Sequence, residues 1–222
     1  VERSDVVVES FQPGYLDSLG LGYQELEKIN PRLVLTSLTW FGQTGPYSHF
    51  KGEEIVADAM GAIMSISGTS DREPLKHGGH QAQYEAGING ALATAFTLLM
   101  RDLTGEGQHV DVSTQEVVNS TMVLNQPNSS WTGAVQTRRR PKGTLFGNVM
   151  PCRDGYFISQ AGGGASWDDI VRFYGEPRLG QPPFNDALAR ADRAEEFDAL
   201  IVDAAKDRDR GEMFQTASGE NR

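Results

Sequence analysis

The stretch Lys76–Ser113, reading KHGGHQAQYEAGINGALATAFTLLMRDLTGEGQHVDVS, most limits what this chain can become. It begins in a loop carrying glycines and histidines. Ile88, Ala91, Leu92, Ala95, Phe96 and Leu99 then recur at three- and four-residue steps, the period of a helix. Thr104-Gly105 stops that helix, because glycine tolerates the left-handed conformation just past a helix end. Gln108–Ser113 alternates, with Val110 and Val112 on one face and His109, Asp111 and Ser113 on the other, as a half-buried strand does. Polar side chains meet a ligand most readily in the loop before the helix, and Gln83 stands there.

The chain before this stretch repeats the theme. Asp5–Glu9 (DVVVE) has the β-branched composition of a buried parallel strand. Ser10–Gly14 is a loop, and Tyr23–Ile29 a short helix ended by Pro31, since the residue before proline avoids helical geometry. Leu33–Trp40 (LVLTSLTW) is a second strand and Phe41–Lys51 a turn-rich loop. Gly52–Ser65 follows as a helix, with Ile55, Ala59, Met60 and Ile63 as its apolar stripe. The order strand, helix, strand, helix, helix, strand predicts an α/β fold: a Rossmann-like parallel sheet flanked by helices, with sites at loops after strand ends.

Gln115–Leu124 continues as helix. The stretch 126–150 then changes character, with Pro, Ser, Gly and the basic run Arg138-Arg139-Arg140-Pro141-Lys142. It is expected to be a linker or active-site loop between a large domain (1–125) and a smaller α+β domain (151–222). The latter would hold the strand Gly155–Gln160, a Gly162–Gly164 turn and the helices Ser166–Tyr174 and Ala194–Lys206. Lys206–Arg210 (KDRDR) is expected as a solvated charge run, and Met213–Arg222 fades without a closing element. With Val1 in place of a start methionine, the ends suggest an internal piece of a longer chain.

A net charge of −10 over 222 residues argues against nucleic acid as a general partner, because phosphate backbones demand clustered Lys and Arg. One cysteine, Cys152, excludes an intramolecular disulfide framework and fits a reducing cytoplasm. No secretory signal and no bilayer-length apolar run occurs. Four histidines and one cysteine make a metal site improbable. Gly162–Gly164 lacks the Walker lysine and the dinucleotide fingerprint.

Four phrases coincide in order and spacing: VVVESFQPGYLDSLGLGYQELEKINPRLV, FGQTGPYSHFKGEEIVADAMG, TGEGQHVDVS and CRDGYF. Together they resemble the class III CoA-transferase family, which includes formyl-CoA and carnitine-CoA transferases and the α-methylacyl-CoA racemases. The resemblance covers nearly the whole chain. It implies coenzyme A or an acyl-CoA as cosubstrate and a carboxylic acid as acceptor. It also implies an interlocked homodimer, or a heteromer with a paralogue. In that family a loop aspartate, four residues before the glycine that opens the central helix, attacks the thioester as a covalent nucleophile.

Here that position is Gln83, four before Gly87. A carboxamide carries no charge and its lone pairs are tied into resonance, so it does not replace the nucleophile; its N–H group is able to donate a hydrogen bond to a thioester oxygen. The racemase branch uses a histidine where Glu53 stands, plus the same aspartate, so neither proton-transfer partner is present. Glu54 matches an acidic family position near the reacting centre, and equally reads as a first-turn acid favoured by the helix dipole. Glu85 is the nearest carboxylate to Gln83. At ~100° per residue it points about 200° away from it, which favours a solvated first-turn acid over a substitute nucleophile. By the same resemblance Ser10, Phe11 and Gln12 form one CoA-contacting loop, and Lys51, Gly52 and Glu53 a second. Arg138–Arg140 with Lys142 reads either as a contact for CoA phosphates or the second acid, or as a solvated loop. The rival functions are a non-nucleophilic subunit of a heteromeric transferase, a CoA-binding protein without turnover, and an acyl-CoA lyase or isomerase using Glu54 as base.

Overall fold

A computed structural model describes residues 1–123, 125–133, 135–138, 149–158 and 166–220. The chain divides into two compact units, Val1–Arg139 and Arg140–Arg222.

The first unit follows the expected alternation. β1 (Val6–Glu9), α1 (Tyr15–Ser18), α2 (Tyr23–Ile29), β2 (Val34–Thr39), α3 (Glu54–Met60), α4 (Gln81–Thr104), β3 (His109–Ser113), α5 (Thr114–Ser120) and α6 (Asn125–Thr132) succeed one another. The three strands form a parallel sheet in the order β1-β2-β3. Val6 pairs with Val34 and Leu35 with His109, so β2 is central. Leu33, Val34 and Leu35 are buried, as an inner parallel strand demands. All of α6 but its first residue falls inside the stretch expected as a linker.

α4 departs from the simple rule that an apolar stripe faces the core. Ile88, Leu92, Phe96 and Leu99 are exposed, Ile88 at 68% and Phe96 at 60%. The helix turns Ala82, Ala86, Gly90 and Thr97 inward instead. A side chain on Gly90 would meet Leu38 Cδ2 at 3.0 Å, and the Thr94 and Thr36 hydroxyls bond at 2.6 Å. Small residues let the helix lie close on β2, which a stripe of Ile, Leu and Phe would not.

α3 is shorter than expected. It ends at Met60, and Ala62 takes a left-handed φ of 72° before a 3₁₀ turn over Ile63–Ser65. Val118 of α5 packs so close to Gly61 that an added Cβ would sit 2.5 Å from Val118 Cγ1. The buried face of α3 is Glu54, Ala57 and Asp58, and Ile55 is exposed.

The second unit pairs β4 (Val149–Cys152) with β5 (Gly155–Ile158) as an antiparallel hairpin. α7 (Trp167–Tyr174), a 3₁₀ turn at Pro177–Gly180, α8 (Ala187–Asp192), α9 (Ala194–Ala205) and α10 (Arg210–Glu220) follow. Met150, Ile170, Tyr174, Leu179, Phe184, Phe197, Leu200, Ile201 and Ala205 form its core. Ser166 and Asp169 close a capping box at the start of α7. Two expectations are corrected here. The terminal stretch closes as α10, with Met213 buried. The KDRDR run is not merely solvated: Asp209 pairs with Arg153, Arg210 with Asp154, and Arg208 donates to the Phe173 carbonyl. The Gly162–Gly164 turn lies outside the described residues, as do Arg139, Arg140 and Lys142. No described helix is long and apolar enough to cross a membrane.

Candidate functional site

A cavity of about 440 Å³ opens at the carboxyl ends of β1 and β2, beside the first turn of α4. Open α/β sheets place ligands there because strand ends stop pairing and loops diverge. Ser10, Phe11, Gln12 and Pro13 line it from the loop after β1. Thr39, Trp40 and Phe41 line it from the end of β2, and Gln83 and Ala86 from α4. Four residues named from the sequence, Ser10, Phe11, Gln12 and Gln83, thus share one space.

Local chemistry fixes each wall. Glu9 Oε2 accepts from the Phe11 amide at 2.7 Å, curling the loop as β1 ends. Gly14, at φ 80°, begins α1. The rings of Phe11 and Tyr15 lie 4.9 Å apart, with Phe11 half-exposed at the rim. Thr114 Oγ1 donates to the Thr39 carbonyl at 3.0 Å, tying the start of α5 to the end of β2. Thr39 Oγ1 itself is buried without a partner among the described residues. Such an unsatisfied hydroxyl inside a cavity of mixed polar and apolar lining is the type of polar group that orients a ligand.

The second predicted stretch flanks this cavity without lining it. Lys51 and Glu53 are exposed. Gly52 packs flat on Trp40; a Cβ there would fall 2.2 Å from Trp40 Cγ. Phe50 does line the cavity; its ring meets Tyr47 at a tilt, 5.5 Å between centroids, and His49 edge-on at 4.7 Å. Thr39, Trp40, Phe50 and Thr114 were not singled out from the sequence. The last position of a central parallel strand was the available signal for the first two.

Glu54 and Glu85 do not line the cavity. Glu54 is 8% exposed, and its Oε1 accepts from the Ala82 amide at 2.7 Å. Burial raises the Glu85 carboxyl above the usual range; the carboxylates of Asp58 and Glu54 push the same way and His77 opposes them. Among the described residues no group of His, Cys, Asp and Glu is spaced to hold a metal ion.

A second cavity of about 600 Å³ adjoins the first across Glu9, Gln12 and Pro13. It lies on the opposite sheet face, since Ser37 alternates with Thr36 and Leu38. Ser37 Oγ and His109 Nε2 are 2.8 Å apart there, and Tyr23 stacks on His109.

The sequence matches the profile of CoA-transferase family III over residues 1–221. The chain belongs to CoA-transferase family III. It is 34% identical over 209 residues to the succinyl-CoA–D-citramalate CoA-transferase of Chloroflexus aurantiacus, covering 91% of this chain and 51% of that protein. It is 35% identical over 174 residues to the succinyl-CoA:(R)-benzylsuccinate CoA-transferase subunit BbsE of Thauera aromatica, covering 77% of this chain and 42% of that one. The crystal structure of a CAIB/BAIF family protein from Brucella suis superposes with a TM-score of 0.78 at 31% identity, over 98% of this chain and 58% of that one. The family III chain thus spans about half the length of the curated relatives it matches.

Proposed function

We propose that this chain grips an acyl-CoA at the 440 Å³ cavity and belongs to an enzyme that moves CoA between carboxylic acids. The observation that carries this reading is the meeting of Ser10, Phe11, Gln12 and Gln83 around one cavity. Apart from Glu9 its lining carries no charge. That suits a thioester and pantetheine arm better than phosphates, which Lys51 at the flank is suited to meet. Gln83 takes the place of the attacking aspartate and serves as a hydrogen-bond donor to the thioester oxygen.

The test uses the longest form of the protein. Isothermal calorimetry with free CoA reads binding, and intact mass after incubation with an acyl-CoA panel and carboxylic acids reads covalent adducts and exchange. The proposal expects CoA affinity. A folded protein without it sinks the reading. Affinity without exchange, even with acid added, instead fits a CoA-binding protein without turnover.

A second reading has its own support: the chain acts as the non-nucleophilic member of a pair. The relative from Thauera aromatica is named as a subunit, and the outer face of α4 offers Ile88, Leu92, Phe96 and Leu99 to solvent. Exposed apolar surface of that extent marks an interaction face, and its occupant here is a second family III chain. Phe96→Asp is expected to convert the assembled protein to monomer in analytical ultracentrifugation, with the thermal midpoint of the monomer little changed. A wild type that sediments as a monomer overturns the idea. Assembly only when a paralogue is added favours the heteromer over the homodimer. The cytoplasm is the proposed compartment.

A further inference from the structure

We infer that Asp58 is a positioning residue that, with Glu54, holds the reacting loop and the first turn of α4 in place. This rests on the proposed reading that Gln83 faces the bound thioester. Asp58 and Glu54 are four apart on α3 and so share one face. They are buried, Asp58 at 1% exposure. No described salt bridge neutralises either acid. Buried carboxylates without a cation disfavour folding relative to an apolar pair of the same size, so they call for hydrogen-bond donors.

What they do hold is backbone. Asp58 Oδ2 accepts from the His77 amide at 3.0 Å, and Glu54 Oε1 accepts from the Ala82 amide at 2.7 Å. Between those anchors the chain passes Gly78 and Gly79, the latter at φ 70°. Lys76 Nζ gathers the carbonyls of His77 and Gly79 at 2.7 and 2.8 Å. The N-cap residue of α4, His80, makes no capping bond with its own side chain. Glu54 therefore supplies from a neighbouring helix the acceptor that a local cap ordinarily provides. A glycine-containing loop pinned at both ends delivers Gln83 to the cavity wall with its direction set. Glu54 Oε2 and Asp58 Oδ1 keep a free acceptor each among the described residues.

Hydrogen–deuterium exchange, read by mass on the peptide 76–86, tests this in the full-length protein. Asp58→Ala should speed exchange of that peptide by about tenfold or more, the scale of losing one charge-assisted hydrogen bond, while β2 and α9 keep their wild-type rates. Asp58→Asn retains an acceptor for the His77 amide and should restore wild-type exchange. Should the alanine variant fail to fold, Asp58→Leu fills the buried volume and reads the same peptide. Unchanged exchange at 76–86, or a uniform rise across the whole chain, overturns the inference. So does a failure of asparagine to rescue. CoA affinity is measured beside it. If local loosening appears while the wild type binds no CoA, the positioning role stands and the proposed function falls.

Discussion

Replacing Gln83 by aspartate is expected to turn on covalent chemistry at the first turn of α4. The wild-type side chain is an exposed carboxamide on the wall of the 440 Å³ cavity. An amide does not attack a thioester; a carboxylate does, forming a mixed anhydride as CoA thiolate leaves, and the thiolate's attack on the aspartyl carbonyl then expels the acyl carboxylate and leaves CoA as a thioester on the side chain. The position favours the anion, because the first helical turn presents backbone N–H groups and the positive end of the helix dipole. Enzymes that lose a nucleophile fall by three or more orders of magnitude in turnover. The substitution should therefore raise acyl-CoA:carboxylate exchange by about 10³-fold or more over wild type, with a CoA adduct mapping to position 83. Intact mass and peptide mapping after mixing with acyl-CoA read both. If the variant folds and binds CoA as wild type does, yet shows neither adduct nor exchange, then Gln83 is not at the reacting centre.

The largest stability effect is expected far from that centre, at Gly107→Ala. A Cβ at Gly107 would lie 2.0 Å from the Leu33 carbonyl oxygen and 2.6 Å from its carbon. Both are backbone atoms and neither can swing aside. Gly107 N also donates to the Pro31 carbonyl at 2.8 Å, and Leu35 N to Gln108 O at 3.1 Å. The chain thus enters β3 by lying directly against the start of β2. Alanine has to push β3 outward and break the register of the β2–β3 pair. A loss of about 3 kcal/mol or more is expected, lowering the thermal midpoint by roughly 6–12 °C for a chain of this size. Gly78→Ala is the control, since nothing lies within 4 Å of its added carbon; it should stay within about 0.5 kcal/mol. Equal midpoints for the two variants refute the close approach.

Much of the first unit was legible because its signals are local. β-branched runs, Pro31 and Gly105 punctuate elements whatever surrounds them. Ser10, Phe11 and Gln12, named from the first phrase, and Gln83, named from its spacing to Gly87, line one cavity. What escaped was set by distant contacts. The period of α4 was right, yet which side faces the sheet depends on how close β2 comes, and only small residues allow that distance. Just past the break after Met60, Gly61 lies close against Val118, more than fifty positions along. Asp58 was not singled out from the sequence, because its partner, a backbone amide at His77, leaves no trace in side-chain composition. The KDRDR run met Arg153 and Asp154 across a hairpin that no charge pattern announces.

The two sides of α4 carry different kinds of information. Its inner side, Ala82, Ala86, Gly90 and Thr97, is a seat of small residues set against the sheet, where Gly90 leaves only 3.0 Å to Leu38 for an added carbon. Its outer side carries bulky residues that touch little within this unit. Substitutions on the outer surface can therefore change whom the molecule keeps company with while leaving the seat of the helix on the sheet as it is.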